Sequence, residues 1–334
     1  MFKLPRSARF GLVVLVAGVA VGTLATTQRL PVTPAGVSAA AGARTTPTPS
    51  PSLGMQVATA NLSFTMPETM PAGAPPMRAR AGILVDLDTG AILWAKEPET
   101  ELAPASLTKV LTALVALENF TPDQAVAITP DALGQSSADT LMHLKAGQTL
   151  TVAELLEGML LPSGDDAASA IAVDTVGEAP FVAAMNAQVA SLGLHDSHFS
   201  ATAGLDDPHL YSSAYDLAVI AAYTYEHFPL FDQIVASQAM TLPASAEHPA
   251  FHLHNLDALL QEYPAAVGIK PGWTGNAGAC LIGMAVRGGH RLLAVLLSAN
   301  YPARLESRLF DWGFQLYGLP PLLPAAPSPS PTHR

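Results

Sequence analysis

The chain has 334 residues, a formal net charge of −11 at pH 7, and 49% hydrophobic against only 13% charged residues. That length holds one large domain or two small ones, and the apolar share is ample for a sizeable core. The acidic balance, with no basic run after residue 10, excludes a nucleic-acid surface, and the single Cys280 excludes an intrachain disulfide.

At the N-terminus, Lys3, Arg6 and Arg9 precede an apolar run at 10–25. This is the order of a secretory signal, so residues 1–25 are expected to be a signal peptide or, if retained, a membrane anchor. The run is short for a spanning helix, and no cysteine follows it for lipid attachment. Residues 26–77 are mostly Pro, Thr, Ala, Ser and Gly, centred on TTPTPSPS, and read as a disordered linker. The stretch 319–334 reads as a similar Pro-rich tail, which leaves 78–318 as the folded domain.

That domain opens with strand-like segments at 83–87 and 91–95 around Asp88-Thr89-Gly90, a β-hairpin. Pro104-Ala105-Ser106-Leu107-Thr108-Lys109 follows, then an apolar run at 110–117 broken only by Thr112. Proline costs a helix little at its start. Ser106 is therefore expected in the first helical turn, with Lys109 on the same face and both near the positive end of the helix dipole. A serine is a poor nucleophile until a neighbouring base takes its proton. A lysine is that base only when burial or a second cation lowers its pKa. Taken alone the pattern is weak: S-x-x-K recurs by chance about once per few hundred residues, and a helix cap beside a solvated lysine is the commoner explanation.

The middle of the chain predicts helices over 152–161, 165–176, 180–194 and 214–228. Leu161-Pro162-Ser163-Gly164-Asp165-Asp166 lies between the first two, in the position of a functional loop or of an ordinary capped turn. The end is strand-like again, over 265–275, 279–286 and 292–297, the last two joined by Arg287-Gly288-Gly289-His290. Lys270-Pro271-Gly272-Trp273-Thr274-Gly275 ends the first of these, and an amphipathic helix is expected over 303–318. Strands, a helical block, strands and a helix predict an α+β fold: a central antiparallel sheet flanked by helices, with an inserted, mostly helical subdomain and a cleft between them.

Together, S-x-x-K, a Ser-Gly turn and Lys-x-Gly at a strand edge, in that order, resemble the motif set of the serine penicillin-recognising enzymes. Within that β-lactamase/transpeptidase-like group, PASLTK, LLPSGDDAA, YSSAYDLA, AGACLIG and LFDWGF look most like the low-molecular-weight D-alanyl-D-alanine carboxypeptidases. The likeness covers 78–318, and Lys109 and Lys270, from a total of five lysines, stand where the pattern needs them. It implies a serine D,D-peptidase without metal or organic cofactor, working outside the cytoplasm on peptidoglycan stem peptides and inhibited by β-lactams. It also implies roles. Ser106 attacks the carbonyl between two D-alanines, Lys109 accepts its proton, and Ser163 passes a proton toward the leaving amine. Lys270 meets the substrate carboxylate, Gly272 lies on the substrate-binding edge, and the N–H groups of Ser106 and Trp273 form an oxyanion hole. Lys270 is further expected to help lower the pKa of Lys109.

Two residues depart from the family pattern. Asp165 stands where Asn is usual, losing an amide donor and adding a charge that either repels an anionic substrate or pairs with one of the lysines. Pro271 stands where Thr or Ser is usual, losing a hydroxyl for which Thr274 is a substitute. These departures keep open a non-catalytic penicillin- or peptidoglycan-binding regulator, beside a D,D-endopeptidase of cross-links. A β-lactamase needs a placed carboxylate for deacylation, and the sequence offers none. Oligomeric state has no signature here. His252-Leu253-His254 reads as a surface strand or loop, Asp206-Asp207 as turn chemistry and Cys280 as a buried structural thiol, while family analogy places Asn255 on the cleft.

Overall fold

The computed structural model describes residues 55–56, 62–134 and 140–324. The expected signal or anchor, most of the linker and the last ten residues lie outside them.

Strands β1 (Ala79–Asp86) and β2 (Ala91–Lys96) form the expected hairpin. A 3₁₀ turn at Ala105–Leu107 leads into helix α1 (Thr108–Asn119). The inserted block carries β3 (Ala125–Ala127), α2 (Pro130–Leu133), β4 (Thr149–Thr151), α3 (Val152–Leu160), α4 (Asp165–Val173), α5 (Glu178–Ser191), α6 (Ala214–His227), α7 (Pro229–Ala236), β5 (Ala239–Leu242) and β6 (Phe251–His254). Helix α8 (Leu259–Glu262) precedes β7 (Ala266–Thr274), β8 (Gly278–Arg287) and β9 (His290–Ala299), and α9 (Pro302–Gln315) closes the domain.

The main sheet is antiparallel in the order β2-β1-β9-β8-β7, so the first strand pairs with the last, from Ala79 opposite Ala299 to Asp86 opposite Leu292. Strand side chains alternate between faces, yet β1 is buried on both. Ala81, Ile83 and Val85 join the core with α1 and α6, whereas Leu84 joins Leu292, Phe310 and Phe314 under α9. Gly313 lets α9 settle there: a Cβ on it would stand 2.8 Å from Leu292 Cδ1.

Local chemistry sets several boundaries. Thr151 and Glu154 make a reciprocal capping box at the start of α3. Ser213 accepts from the Asp216 N–H at the start of α6. Gly193, at φ 72°, turns the chain after α5.

Two composition-based boundaries shift. Residues 62–77, assigned to the linker, lie on the domain: Phe64 is buried, the Thr65 N–H donates to Gly90 O at 2.9 Å, and the Ile92 N–H donates to Thr65 O at 3.0 Å. The tail begins later than 319, since the Leu322 and Leu323 N–H groups donate to the Asp311 carboxylate at 2.8 and 2.9 Å. Averaged composition conceals a few anchoring side chains and backbone bonds inside a Pro-rich stretch.

Candidate active site

The turn before α1 holds the nucleophile candidate. Ala105 sits at φ 52°, a left-handed conformation rare for a residue with a side chain. It twists the chain so that Ser106 occupies the 3₁₀ turn rather than the first turn of the α-helix, as the sequence had suggested. The spacing still brings the pair together. Lys109 Nζ donates to Ser106 Oγ at 3.0 Å, to Asp165 Oδ1 at 2.7 Å and to Ala203 O at 2.7 Å. Those three bonds use all the protons of an ammonium. Lys109 is completely buried, and burial pushes its pKa below the ordinary lysine range, with Asp165 and then Asp166 opposing. Burial in turn raises Asp165, against the pull of Lys109. Asp165 thus takes the pairing alternative, and its partner is Lys109.

Ser163 also has left-handed backbone, at φ 62°, and its buried Oγ has no hydrogen-bond partner among the described residues. A loop fixes it from above. Thr140 Oγ1 donates to Ser163 O at 2.9 Å, and the Asp165 N–H donates to Thr140 O at 2.9 Å. Asp166 secures that loop by accepting from the Met142 and Leu144 N–H groups at 2.8 and 2.9 Å. Sequence reasoning gave Asp166 no role, since an acid at a helix start is commonplace.

Strand β7 forms the opposite wall. Gly272 permits its close approach: a Cβ there would lie 3.0 Å from the Ser106 nitrogen. Lys270 is completely buried and makes one long hydrogen bond, 3.3 Å to Pro271 O. Burial, then the nearby Lys109, push its pKa down to about 7, while Asp257 and Asp165 oppose. The like-charge effect expected on Lys109 therefore falls on Lys270. Thr274 Oγ1 donates to Asp206 Oδ1 at 2.5 Å, and the Asn276 N–H donates to Asp206 Oδ2 at 3.2 Å. Asp206 is thus a strap between a loop and β7 rather than local turn chemistry, and the Thr274 proton is committed to it. Asn255 does not line the cleft. Its amide donates to Val235 O and Ser237 O and holds a loop, while its neighbour Leu256 reaches the opening.

Behind Lys270 lie two acids that sequence reasoning missed. Asp257 Oδ2 and both Glu306 carboxyl oxygens are buried without a hydrogen-bond partner among the described residues. Burial raises Asp257 to about 6 and holds Glu306 well above the usual carboxyl range. Only the tertiary fold reveals them, because an isolated Asp or Glu in sequence carries no sign of burial.

The cleft has a volume of about 580 Å³, and Ser106, Ser163, Asp165, Gly272, Trp273 and Thr274 all line it. A hydroxyl bonded to a buried amine and a second hydroxyl without a partner around one opening, with the buried Lys270 amine beneath the β7 wall rather than in the lining, suit acyl transfer to a peptide with a free carboxylate. The remaining signals fall elsewhere. His252 and His254 face out from β6, and Cys280 is buried with its thiol pushed up to about 11 by desolvation. Among the described residues no single helix is long and apolar enough to cross a membrane.

The family model for D-alanyl-D-alanine carboxypeptidase matches residues 68–301. D-alanyl-D-alanine carboxypeptidase DacB2 of Mycobacterium tuberculosis is 36% identical over 260 residues, covering 75% of this chain and 88% of the relative. DacD of Salmonella typhimurium, with the same description, is 35% identical over 255 residues; the match takes in 72% of this chain and spans 64% of that longer protein. Among solved structures, a Streptomyces DD-transpeptidase superposes with a TM-score of 0.68 at 30% identity, over 73% of this chain and 100% of its own. A D-alanyl-D-alanine carboxypeptidase from M. tuberculosis superposes with a TM-score of 0.68 at 34% identity, over 76% and 98%. Sequence and architecture agree over the whole sheet and helical block: this chain belongs to the D-alanyl-D-alanine carboxypeptidase family of serine peptidases.

Proposed function

We propose that the cleft removes the terminal D-alanine of a peptidoglycan stem peptide through an ester on Ser106. The observation that carries this is the 3.0 Å contact between Ser106 Oγ and the buried Lys109 Nζ. Burial lowers the Lys109 pKa, so its ammonium gives up a proton more readily than an ordinary lysine and the amine so formed is the base. Ser106 Oγ attacks the carbonyl carbon and its proton passes to Lys109. The carbonyl oxygen gains the electron pair and rests against the N–H groups of Ser106 and Trp273. The C–N bond then breaks, and the departing amine takes a proton by way of Ser163. Water attacks the ester and gives a proton to the Lys109 amine; the bond to Ser106 Oγ then breaks, Oγ takes that proton, and the shortened peptide leaves as an acid. Lys270, as an ammonium, meets the terminal carboxylate. Pro271 supplies no hydroxyl and Thr274 has committed its own, so Lys270 carries more of that recognition here than where Thr or Ser follows the lysine.

This reading places the domain on the peptidoglycan side of the cytoplasmic membrane, delivered by residues 1–25 as signal or tether. The test is mass spectrometry of the intact protein after penicillin exposure, together with D-alanine release from an N-acylated peptide ending in D-Ala-D-Ala. The expected result is an adduct on Ser106, D-alanine release by the wild type, and neither in Ser106→Ala. Binding of penicillin without an adduct or D-alanine release would replace this reading with the non-catalytic regulator. Cleavage of cross-linked dimers alone would replace it with the endopeptidase.

A further inference from the structure

A groove outside the catalytic cleft has no part in the scheme above. Trp273 is 69% exposed and Tyr301 is 78% exposed, more than any other large apolar side chain among the described residues. The two rings flank a groove of about 480 Å³, with Gly278, Ala279, Ser298 and Asn300 among its lining. Trp273 lines both this groove and the catalytic cleft, so the two share a wall. The backbone presents these groups outward: Ser298 and Tyr301 both have left-handed φ, 50° and 56°. Nothing in core packing accounts for an aromatic ring held out in this way.

The chemistry of the lining narrows the occupant. It offers exposed aromatic rings, the hydroxyls of Ser298 and Tyr301 and the carboxamide of Asn300, and every described residue in it is uncharged. Flat apolar rings beside small neutral hydrogen-bonding groups complement a sugar ring, which has an apolar C–H face and a rim of hydroxyl and amide groups. A second stem peptide would find no charged group in the lining itself, and the neighbouring Arg304 guanidinium lies over the Tyr301 ring, 5.9 Å from its centroid, rather than in the groove wall. Reach agrees as well. A five-residue stem in extended form spans about 17 Å, so a sugar at its far end lies outside the cleft but near its rim.

We propose that the Trp273–Tyr301 groove is a glycan subsite, holding an N-acetylated amino sugar of the same polymer whose stem peptide enters the cleft. This rests on the reading that the cleft takes a stem peptide. The experiment compares wild type, Tyr301→Ala and Tyr301→Phe on three probes: a short N-acylated D-Ala-D-Ala peptide, the same stem carried on its disaccharide, and peptide-free chitotetraose. Tyr301→Ala is expected to leave kcat/KM on the short peptide within about twofold and to lower it about tenfold on the disaccharide-linked stem, mainly through KM. Tyr301→Phe, which keeps the ring, is expected to match the wild type on both. Chitotetraose is expected to perturb the fluorescence of the exposed Trp273 in wild type and much less in Tyr301→Ala. Equal effects on both substrates, or no chitotetraose response in wild type, would overturn the subsite. The fluorescence arm needs no turnover. Failure of the catalytic reading, seen as no D-alanine release by the wild type, is therefore distinguishable from failure of the groove.

Discussion

Two lysines lie completely buried at the cleft, and their surroundings differ sharply. Lys109, in the first turn of α1, spends every proton on Ser106, Asp165 and Ala203. Lys270, on β7, has one long bond to the carbonyl of the next residue. Burial weakens both ammonium forms, but only Lys109 has an acid within hydrogen-bond distance to offset it. The difference teaches a division of labour. A satisfied amine is held in fixed geometry toward one hydroxyl, whereas an under-bonded one keeps capacity for an acid that arrives from outside.

The sharpest way to break this comparison is Lys109→Ala. Penicillin acylation should slow by about a thousandfold or more, because Ser106 loses its base. Asp165, left buried without a partner, should cost about 3 kcal/mol in the urea unfolding midpoint. Acylation at wild-type rate would show that another group takes the Ser106 proton.

Lys270→Ala should act on binding. KM for an acid-ended peptide is expected to rise about thirtyfold (near 2 kcal/mol), with a much smaller change for the C-terminal amide. Equal losses on both would remove its assigned partner. The pH profile carries the sign. Free Lys270 loses its proton as pH rises through about 7, so kcat/KM for the acid-ended peptide should fall on that side in wild type. Stability runs the other way. Between pH 7 and the unfolded value of 10.5 the unfolded chain binds more protons, so this group adds stability with rising pH and loses it as pH falls toward 7. Lys270→Met should flatten that slope in urea titrations.

Asp165→Asn is the mildest test. The amide oxygen still accepts from Lys109, so kcat/KM at the optimum should change by less than about tenfold. Without the anion Lys109 deprotonates more readily, so the acidic limb of the profile should move to lower pH. A change of about a thousandfold would make Asp165 a principal determinant of the chemistry.

What the sequence made legible follows from distance along the chain. Ser106 and Lys109 are three residues apart, so helical spacing alone places them together. The hairpins at Asp88-Thr89-Gly90 and Arg287–His290 are local turn chemistry, and the order of elements implied the shared sheet. Partners of Lys109 were less accessible: Ala203 O is a backbone group 94 residues away. The Asp206–Thr274 strap joins residues 68 apart, and Asp206 beside Pro208 looks like any turn. Asp257 and Glu306 became visible only when α8 and α9 buried them against the sheet. Helix α7 and the short β5 and β6 escaped because four to eight residues carry too little periodicity to read.

The pairing of β1 with β9 has a consequence for how the molecule is made. The strand that leaves the ribosome first has its inner neighbour synthesised last, with the whole helical insertion between them. Until His290–Ala299 has emerged, Ala81, Ile83 and Val85 have only β2 beside them and an open edge on the other side. Nascent chains halted before that point should therefore be cut by protease at sites that the completed sheet protects.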